Sequence, residues 1–244
     1  MSGGRGRPLD LDRLSFPALT ASRARLLTGL VDLASRDPEA LRVALGLTPG
    51  NSGPVEADAR LMTAPAVPVL SLYSGVLFEA LDYASLTGSA RRRAAGSLLV
   101  ASALFGLVRP ADRLPPYRLS GSTVLPGFGS LPRLWRPVLE PELTSASGLV
   151  VDLRSTTYAA LARVPGAVSV RVVRERDGVR SVVSHDNKWT KGLLARALCE
   201  QGARTVADVA EAGRSLADDV QVRGRQVELM LSGLARSRDQ TLRG

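Results

Sequence analysis

Apolar residues recur at helical spacing from Ala21 to Ala34, where Leu26, Leu27, Leu30, Val31 and Leu33 line one face and Thr20 offers an N-cap. Pro38 to Leu45 reads as a second short helix with Gly46 as its stop, Asn51 to Pro54 as a turn, and Val55 to Met62 as a third helix. Val67 to Tyr73 reads as a short strand delivering Tyr73-Ser74-Gly75 to a helix start. Arg91-Arg92-Arg93 follows a Thr87/Ser89 cap and reads as a solvated helix face. Leu99 to Leu107 is continuously small or apolar, which suits a buried strand ending at a Phe105-Gly106 turn. Leu131 to Leu143 predicts a helix interrupted by Pro137 and Pro141, with Trp135 as core or wall. Leu149 to Leu153 predicts a buried strand, and Val168 to Val173 with Arg180 to Val183 a hairpin around Asp177-Gly178. A long helix runs to Gln201, Gly202 to Thr205 joins it to a second helix over Val206 to Ala212, and Asp219 to Leu231 forms a hairpin around Arg223-Gly224. The predicted class is mixed α/β: a central mixed sheet from the strands near 67, 99, 149, 168, 180 and the C-terminal hairpin, wrapped by helices. A single domain over 1–244 is expected, with 1–11 flexible and 232–244 a polar tail.

Composition narrows the function classes. The chain has 244 residues and is 45% hydrophobic, its mean hydropathy is near zero at +0.06, and no apolar run approaches the roughly twenty residues that span a bilayer. A soluble cytoplasmic protein without membrane contact is the expectation. One cysteine, Cys199, excludes an internal disulfide; among Leu194, Leu198 and alanines it reads as a buried, inert thiol. One histidine and one cysteine leave no ligand cluster for a metal, and no cofactor is implied. The formal net charge of +9 and a pI near 10.8 point to an anionic partner, duplex DNA or an acidic small molecule. Heavy arginine usage beside abundant alanine, glycine and proline is also what a GC-rich coding sequence yields without any binding role.

The densest candidate chemistry lies between Ala101 and Leu119. Val108-Arg109-Pro110 forces extended backbone as the chain leaves the core, and Pro115-Pro116 fixes a second extended segment that presents Tyr117 and Arg118. Arginines on rigid loops suit anion binding; a proline-rich crossover with solvated arginines is the competing reading. Arg154-Ser155-Thr156 follows the predicted strand at 149–153, where Ser155 or Thr156 caps a short helix and free N–H groups join Arg154. Lys188 and Lys191 are the only lysines, three apart at the start of the long helix, where cations oppose the macrodipole unless an anion lies between them. Arg109, Arg118, Arg154, Lys188 and Lys191 are expected to converge on one basic cleft.

Ala101-Ser102-Ala103-Leu104-Phe105-Gly106-Leu107-Val108-Arg109-Pro110-Ala111-Asp112, followed by Pro116-Tyr117-Arg118-Leu119, resembles the central signature of the YaaA peroxide-stress protein family. Tyr73-Ser74-Gly75-Val76-Leu77, Val151-Asp152-Leu153-Arg154-Ser155-Thr156-Thr157-Tyr158 and Asn187-Lys188-Trp189-Thr190-Lys191-Gly192 resemble flanking blocks of the same family. Two departures are visible. The opening strand that precedes Arg-Gly-Arg-Pro in the family is not found before Arg5-Gly6-Arg7-Pro8, and Trp189 stands where the family has the second of two adjacent lysines.

The resemblance implies a DNA-binding protein of oxidative-stress defence that limits free iron and hydroxyl-radical damage, with a helix-hairpin-helix over about 190–212. A different class competes: an enzyme of lyase or transferase type acting on an acidic or phosphorylated small molecule. In that reading Lys188 is base or nucleophile, Tyr117 or Tyr158 the proton donor, and Tyr73, Ser102, Arg109, Arg118, Arg154, Ser155 and Lys191 hold the anion.

Overall fold

The computed structural model describes residues 6–176, 179–181 and 184–232. In chain order its helices are α1 (Thr20–Arg36), α2 (Pro38–Ala44), α3 (Gly53–Ala59), α4 (Val69–Leu72), α5 (Val76–Leu81), α6 (Gly88–Ser97), α7 (Leu131–Thr144), α8 (Thr156–Ala159), α9 (Ser184–Gln201) and α10 (Val206–Arg214). The strands are β1 (Val67–Pro68), β2 (Val100–Ser102), β3 (Gly106–Val108), β4 (Arg113–Leu114), β5 (Val124–Leu125), β6 (Gly129–Ser130), β7 (Val151–Asp152), β8 (Val168–Arg176), β9 (Val179–Ser181), β10 (Asp219–Arg223) and β11 (Gln226–Ser232). The fold is mixed α/β. Two compact units share the chain: the first takes Met1–Tyr73, Ala94–Ala146 and Arg154–Pro165, the second Ser74–Arg93, Ser147–Leu153 and Gly166–Gly244.

The first unit is helical, with three two-stranded antiparallel ribbons, β1-β4, β2-β3 and β5-β6. Its core collects Leu26, Leu27 and Leu30 of α1, Leu41 of α2, Leu104, Phe105, Leu114 and Trp135, each at most 1% exposed. Burying side chains of this size contributes about 1.5–3 kcal/mol apiece. α7 runs unbroken through Pro137 and Pro141, contrary to the expected interruption. The reason lies on its other face: Leu131, Trp135, Leu139 and Leu143 repeat every four residues and are buried, while both prolines face solvent. Arg7 and Pro8, in the segment expected to be flexible, pair with Ala66 and Pro65.

The second unit holds the mixed sheet, ordered β10-β11-β8-β7, with β9 pairing antiparallel to the far end of the β8 edge that β7 begins. β8 and β11 run parallel from Ser169–Gln226 to Glu175–Ser232. Alternation sets the buried face: Val168, Val170 and Val172 of β8 join Val227 and Leu229 of β11 against Leu194 of α9 and Val209 and Ala212 of α10. The expected C-terminal hairpin is present as β10-β11. The Asp177-Gly178 turn and Val182-Val183 lie outside the described residues; Val179–Ser181 pairs antiparallel with Arg174–Arg176 on either side of the turn.

Several expected strands are replaced. Val67–Tyr73 is a two-residue strand and then a helical turn: the Val69 N–H makes the last ladder bond, to the Asp112 carbonyl, and the Tyr73 N–H turns back to the Val69 carbonyl. Leu99–Leu107 is the β2-β3 hairpin, not one strand: Gly106, at φ +73°, reverses the chain where an added Cβ would lie 2.7 Å from the Trp135 ring. Neither segment joins the mixed sheet. The arginine triplet is also not a plain solvated face. Arg91 donates to the Tyr83 carbonyl and stacks 3.6 Å from that residue's ring centroid, and Arg93 donates to the Cys199 and Glu200 carbonyls at the end of α9; of the three, Arg92 alone is exposed.

Candidate functional site

In the first unit the β2-β3 turn is clamped by the side chains around it. Arg23 of α1, fully buried, donates from Nε to the Phe105 carbonyl (2.9 Å) and from Nη2 to the Leu107 carbonyl (2.7 Å), and reaches the Phe16 carbonyl through Nη1 at 3.3 Å. Burial lowers its pKa to about 10, partly offset by the charges of Asp112 and Glu142. Trp135 Nε1 donates to the Ala103 carbonyl at 2.8 Å, and the Phe105 N–H to Ser102 Oγ at 2.9 Å. The last contact fixes the Ser102 hydroxyl in place.

Ser102 Oγ then meets the Tyr117 hydroxyl at 2.7 Å, and Tyr117 meets the Tyr73 hydroxyl at 2.6 Å. The Tyr117 ring stands edge-on to both Phe105 and Tyr73, with centroids 5.6 and 6.4 Å away. Burial raises the pKa of Tyr73, and raises that of Tyr117 well above the ordinary phenol value. A charge on Tyr158 would push both further in the same direction. Tyr158 is itself raised by burial, opposed by the Gly121 N–H that its oxygen accepts and by the charge of Arg118. These phenols are therefore neutral donors at physiological pH, and the exposed Arg118 guanidinium acts on the outermost of them, Tyr158.

Beneath Arg118 lies a residue that the sequence reading did not single out. Asp58 of α3 is 0% exposed; its Oδ1 accepts the Arg118 N–H at 2.9 Å and its Oδ2 is buried without a hydrogen-bond partner. Burial pushes its pKa up to about 7, against the pull of the Arg118 amide and charge. The signal was present: Val55, Asp58 and Leu61 fall at three-residue steps and all three are buried, so the acid sits on an apolar stripe. Arg23 gives the same signal beside Leu26, Leu27 and Leu30.

Other expected site residues have structural partners. Arg109 donates to the Gly96 carbonyl at 2.6 Å and lies 5.3 Å over the Phe16 ring, while its N–H goes to Asp112 Oδ2 at 2.8 Å. Arg154 donates to the Ala162 carbonyl at 2.9 Å and the Tyr158 carbonyl at 3.4 Å, bracing the loop that carries Tyr158. Ser155 is exposed at the start of α8, makes no side-chain cap, and leads a helix of only four residues.

In the second unit Lys188 is exposed, whereas Lys191 is 8% exposed, with its pKa lowered by burial against the pull of Asp152. The α9-α10 hairpin turns at Gly202, φ +74°. Its amides already have acceptors: the N–H groups of Gly202 and Ala203 go to the Leu198 carbonyl, and those of Arg204 and Thr205 to Asp208 Oδ2 at 2.7 and 2.9 Å. Thr205 Oγ1 completes a capping box with the Asp208 N–H. Cys199 is buried, and among the described residues no acidic, histidine or cysteine group is placed to hold a metal ion.

Comparison with known proteins decides the family. Residues 11–216 match the family described as Peroxide stress protein YaaA. The chain belongs to that family. It is 45% identical over 227 residues to a UPF0246 protein of Streptomyces coelicolor, covering 90% of this chain and 87% of that one. A UPF0246 protein of Corynebacterium efficiens is 42% identical over 237 residues, 94% of each chain. One from Corynebacterium glutamicum strain R is 46% identical over 215 residues, 85% of this chain and 84% of that one. Within this YaaA-family chain, the signature residues Ser102 and Tyr117 meet Tyr73 of a flanking block in one hydrogen-bonded group. No described helix is long and apolar enough to cross a membrane.

Proposed function

We propose that this chain serves peroxide-stress defence by binding the phosphate backbone of duplex DNA, with Arg118, Tyr158 and the Tyr73-Tyr117-Ser102 hydroxyls as an oxyanion-binding centre. DNA so covered is shielded from hydroxyl radicals made by iron. The observation that carries the reading is the exposed Arg118 guanidinium acting on Tyr158, a phenol that burial holds protonated. A fixed cation beside neutral hydroxyl donors suits an oxyanion and does not suit base catalysis. The net charge of +9 supplies long-range attraction without sequence preference. The α9-α10 hairpin contributes through exposed side chains such as Arg204, since its amides are engaged.

The test is fluorescence anisotropy on a duplex of arbitrary sequence at rising salt. Affinity should fall steeply, by orders of magnitude between roughly 50 and 200 mM if several phosphates are engaged. Arg118→Ala should weaken binding about tenfold and reduce the salt slope by about one. Absence of binding at low salt overturns the reading. A second reading, an enzyme acting on an acidic or phosphorylated small molecule, is favoured by Lys191, whose buried amine is easier to deprotonate than an ordinary lysine. Burial thus points to Lys191 before Lys188 as the base.

A further inference from the structure

Asp58 is placed as no surface carboxylate would be. One oxygen is held by the Arg118 amide, the other is sealed from solvent and lacks a hydrogen-bond partner, and the residue is wholly buried. An ionised carboxylate in such a place depends on whatever positive charge is near it. The neighbouring elements offer little. On α1, Arg23 is committed to backbone carbonyls, Arg25 lies over the Phe128 ring, and Asp32 and Arg36 are exposed; on α2, Glu39 and Arg42 pair with each other. On α3 itself, Glu56 is exposed and accepts from Ser52. The charge that favours ionised Asp58 is that of Arg118.

Arg118 is also the exposed cation of the anion-binding centre, so the two roles compete. An anion on Arg118 offsets the side-chain charge that, after the Arg118 N–H, favours the ionised form of Asp58, and adds a negative charge of its own. The buried carboxylate responds by taking a proton from solvent onto its free oxygen. We propose that an oxyanion seated on Arg118 and Tyr158 drives a proton onto Asp58, so that ligand binding and proton uptake are one coupled event. The coupling rests on the anion-binding reading above and gives it a regulatory consequence: the ligand binds more tightly as pH falls through neutrality. With Asp58 poised near 7 in the free protein, an upward shift of about one pKa unit on binding makes affinity differ about tenfold between the alkaline and acid limits.

The experiment is isothermal titration calorimetry on the full chain with two probes that do not titrate near neutrality, inorganic sulfate and a twelve-base-pair duplex. Each is run from pH 6 to 8.5 in pairs of buffers with different ionisation enthalpies, on a His185→Gln background that removes the one histidine. Uptake of a substantial fraction of one proton near pH 7.5, lost in Asp58→Asn together with the pH dependence of affinity, is the expected result. Unchanged uptake in Asp58→Asn with binding intact overturns the coupling and leaves the anion reading standing. Failure of both probes to bind at low salt overturns the anion reading and the coupling with it. Should Asp58→Asn fail to fold, carboxyl ¹³C shifts in the otherwise wild-type chain decide: the Asp58 midpoint must rise by about one unit with saturating sulfate, and an unmoved midpoint overturns the proposal.

Discussion

At Tyr117 the hydroxyls of Ser102, Tyr117 and Tyr73 meet in one bonded group, while between α9 and α10 every backbone N–H from Gly202 to Thr205 already has an acceptor within its own unit. Both regions have the outline of a ligand-binding part, one by its signature residues and one by its helix-turn-helix shape. They differ in how much hydrogen-bonding capacity is left over. A phenol hydroxyl can turn its proton to a newcomer; an amide bonded to an ionised carboxylate cannot be recruited without displacing that carboxylate. Shape alone therefore overstates the hairpin.

The comparison breaks most severely if the turn beneath the hydroxyls is loosened. Arg23→Lys keeps a buried positive charge but removes the fork that serves the Phe105, Leu107 and Phe16 carbonyls. With two of the three carbonyls left unpaired, a loss of about 3 kcal/mol in unfolding free energy is expected from urea denaturation. A change below about 1 kcal/mol would show that the turn is held by Trp135 and packing instead. Tyr117→Phe is the sharper and smaller test, because it deletes the hydroxyl that bonds to both Ser102 and Tyr73. It should cost about 1–2 kcal/mol in stability and weaken binding of a short duplex several-fold. Unaltered affinity would remove the hydroxyl group from the site.

How much of this was legible in the sequence depended on which force fixed each part. The β8 alternation of Val168, Val170 and Val172 and the four-residue repeat of Leu131, Trp135, Leu139 and Leu143 are hydrophobic patterns, and they appear as buried faces. Local signals misled where tertiary contacts took over. The small, apolar run at Leu99–Leu107 carries no period that separates one strand from a hairpin, and the Gly106-Trp135 contact that settles it spans distant parts of the chain. Arg91, Arg93, Arg109 and Arg154 are spread along the chain like free cations, yet each donates to a backbone carbonyl. Arginine's fork serves carbonyls as readily as anions, and spacing does not distinguish the two uses. Asp58 and Arg23 were readable in principle as charges on apolar stripes, but the partners that give them meaning, Arg118 and the Phe105 turn, are about sixty and eighty residues away.

The smallest expected effect tests the other half of the comparison. Asp208→Ala removes the carboxylate that occupies the Arg204 and Thr205 amides and deletes a negative charge at the start of α10. Half of the capping box remains as Thr205, so α10 persists with a modest loss of stability. The freed amides and the unopposed Arg204 side chain then present the donors that the wild-type turn withholds, next to a helix N-terminus that favours phosphate. If the hairpin lies against DNA, duplex affinity at low salt rises about twofold to threefold, and the gain shrinks as salt increases. Unchanged affinity in a properly folded variant would place DNA elsewhere and leave the hairpin as scaffold. A fall in affinity would mean that the capped geometry itself is what the ligand reads, and the contrast between the two regions would have to be redrawn.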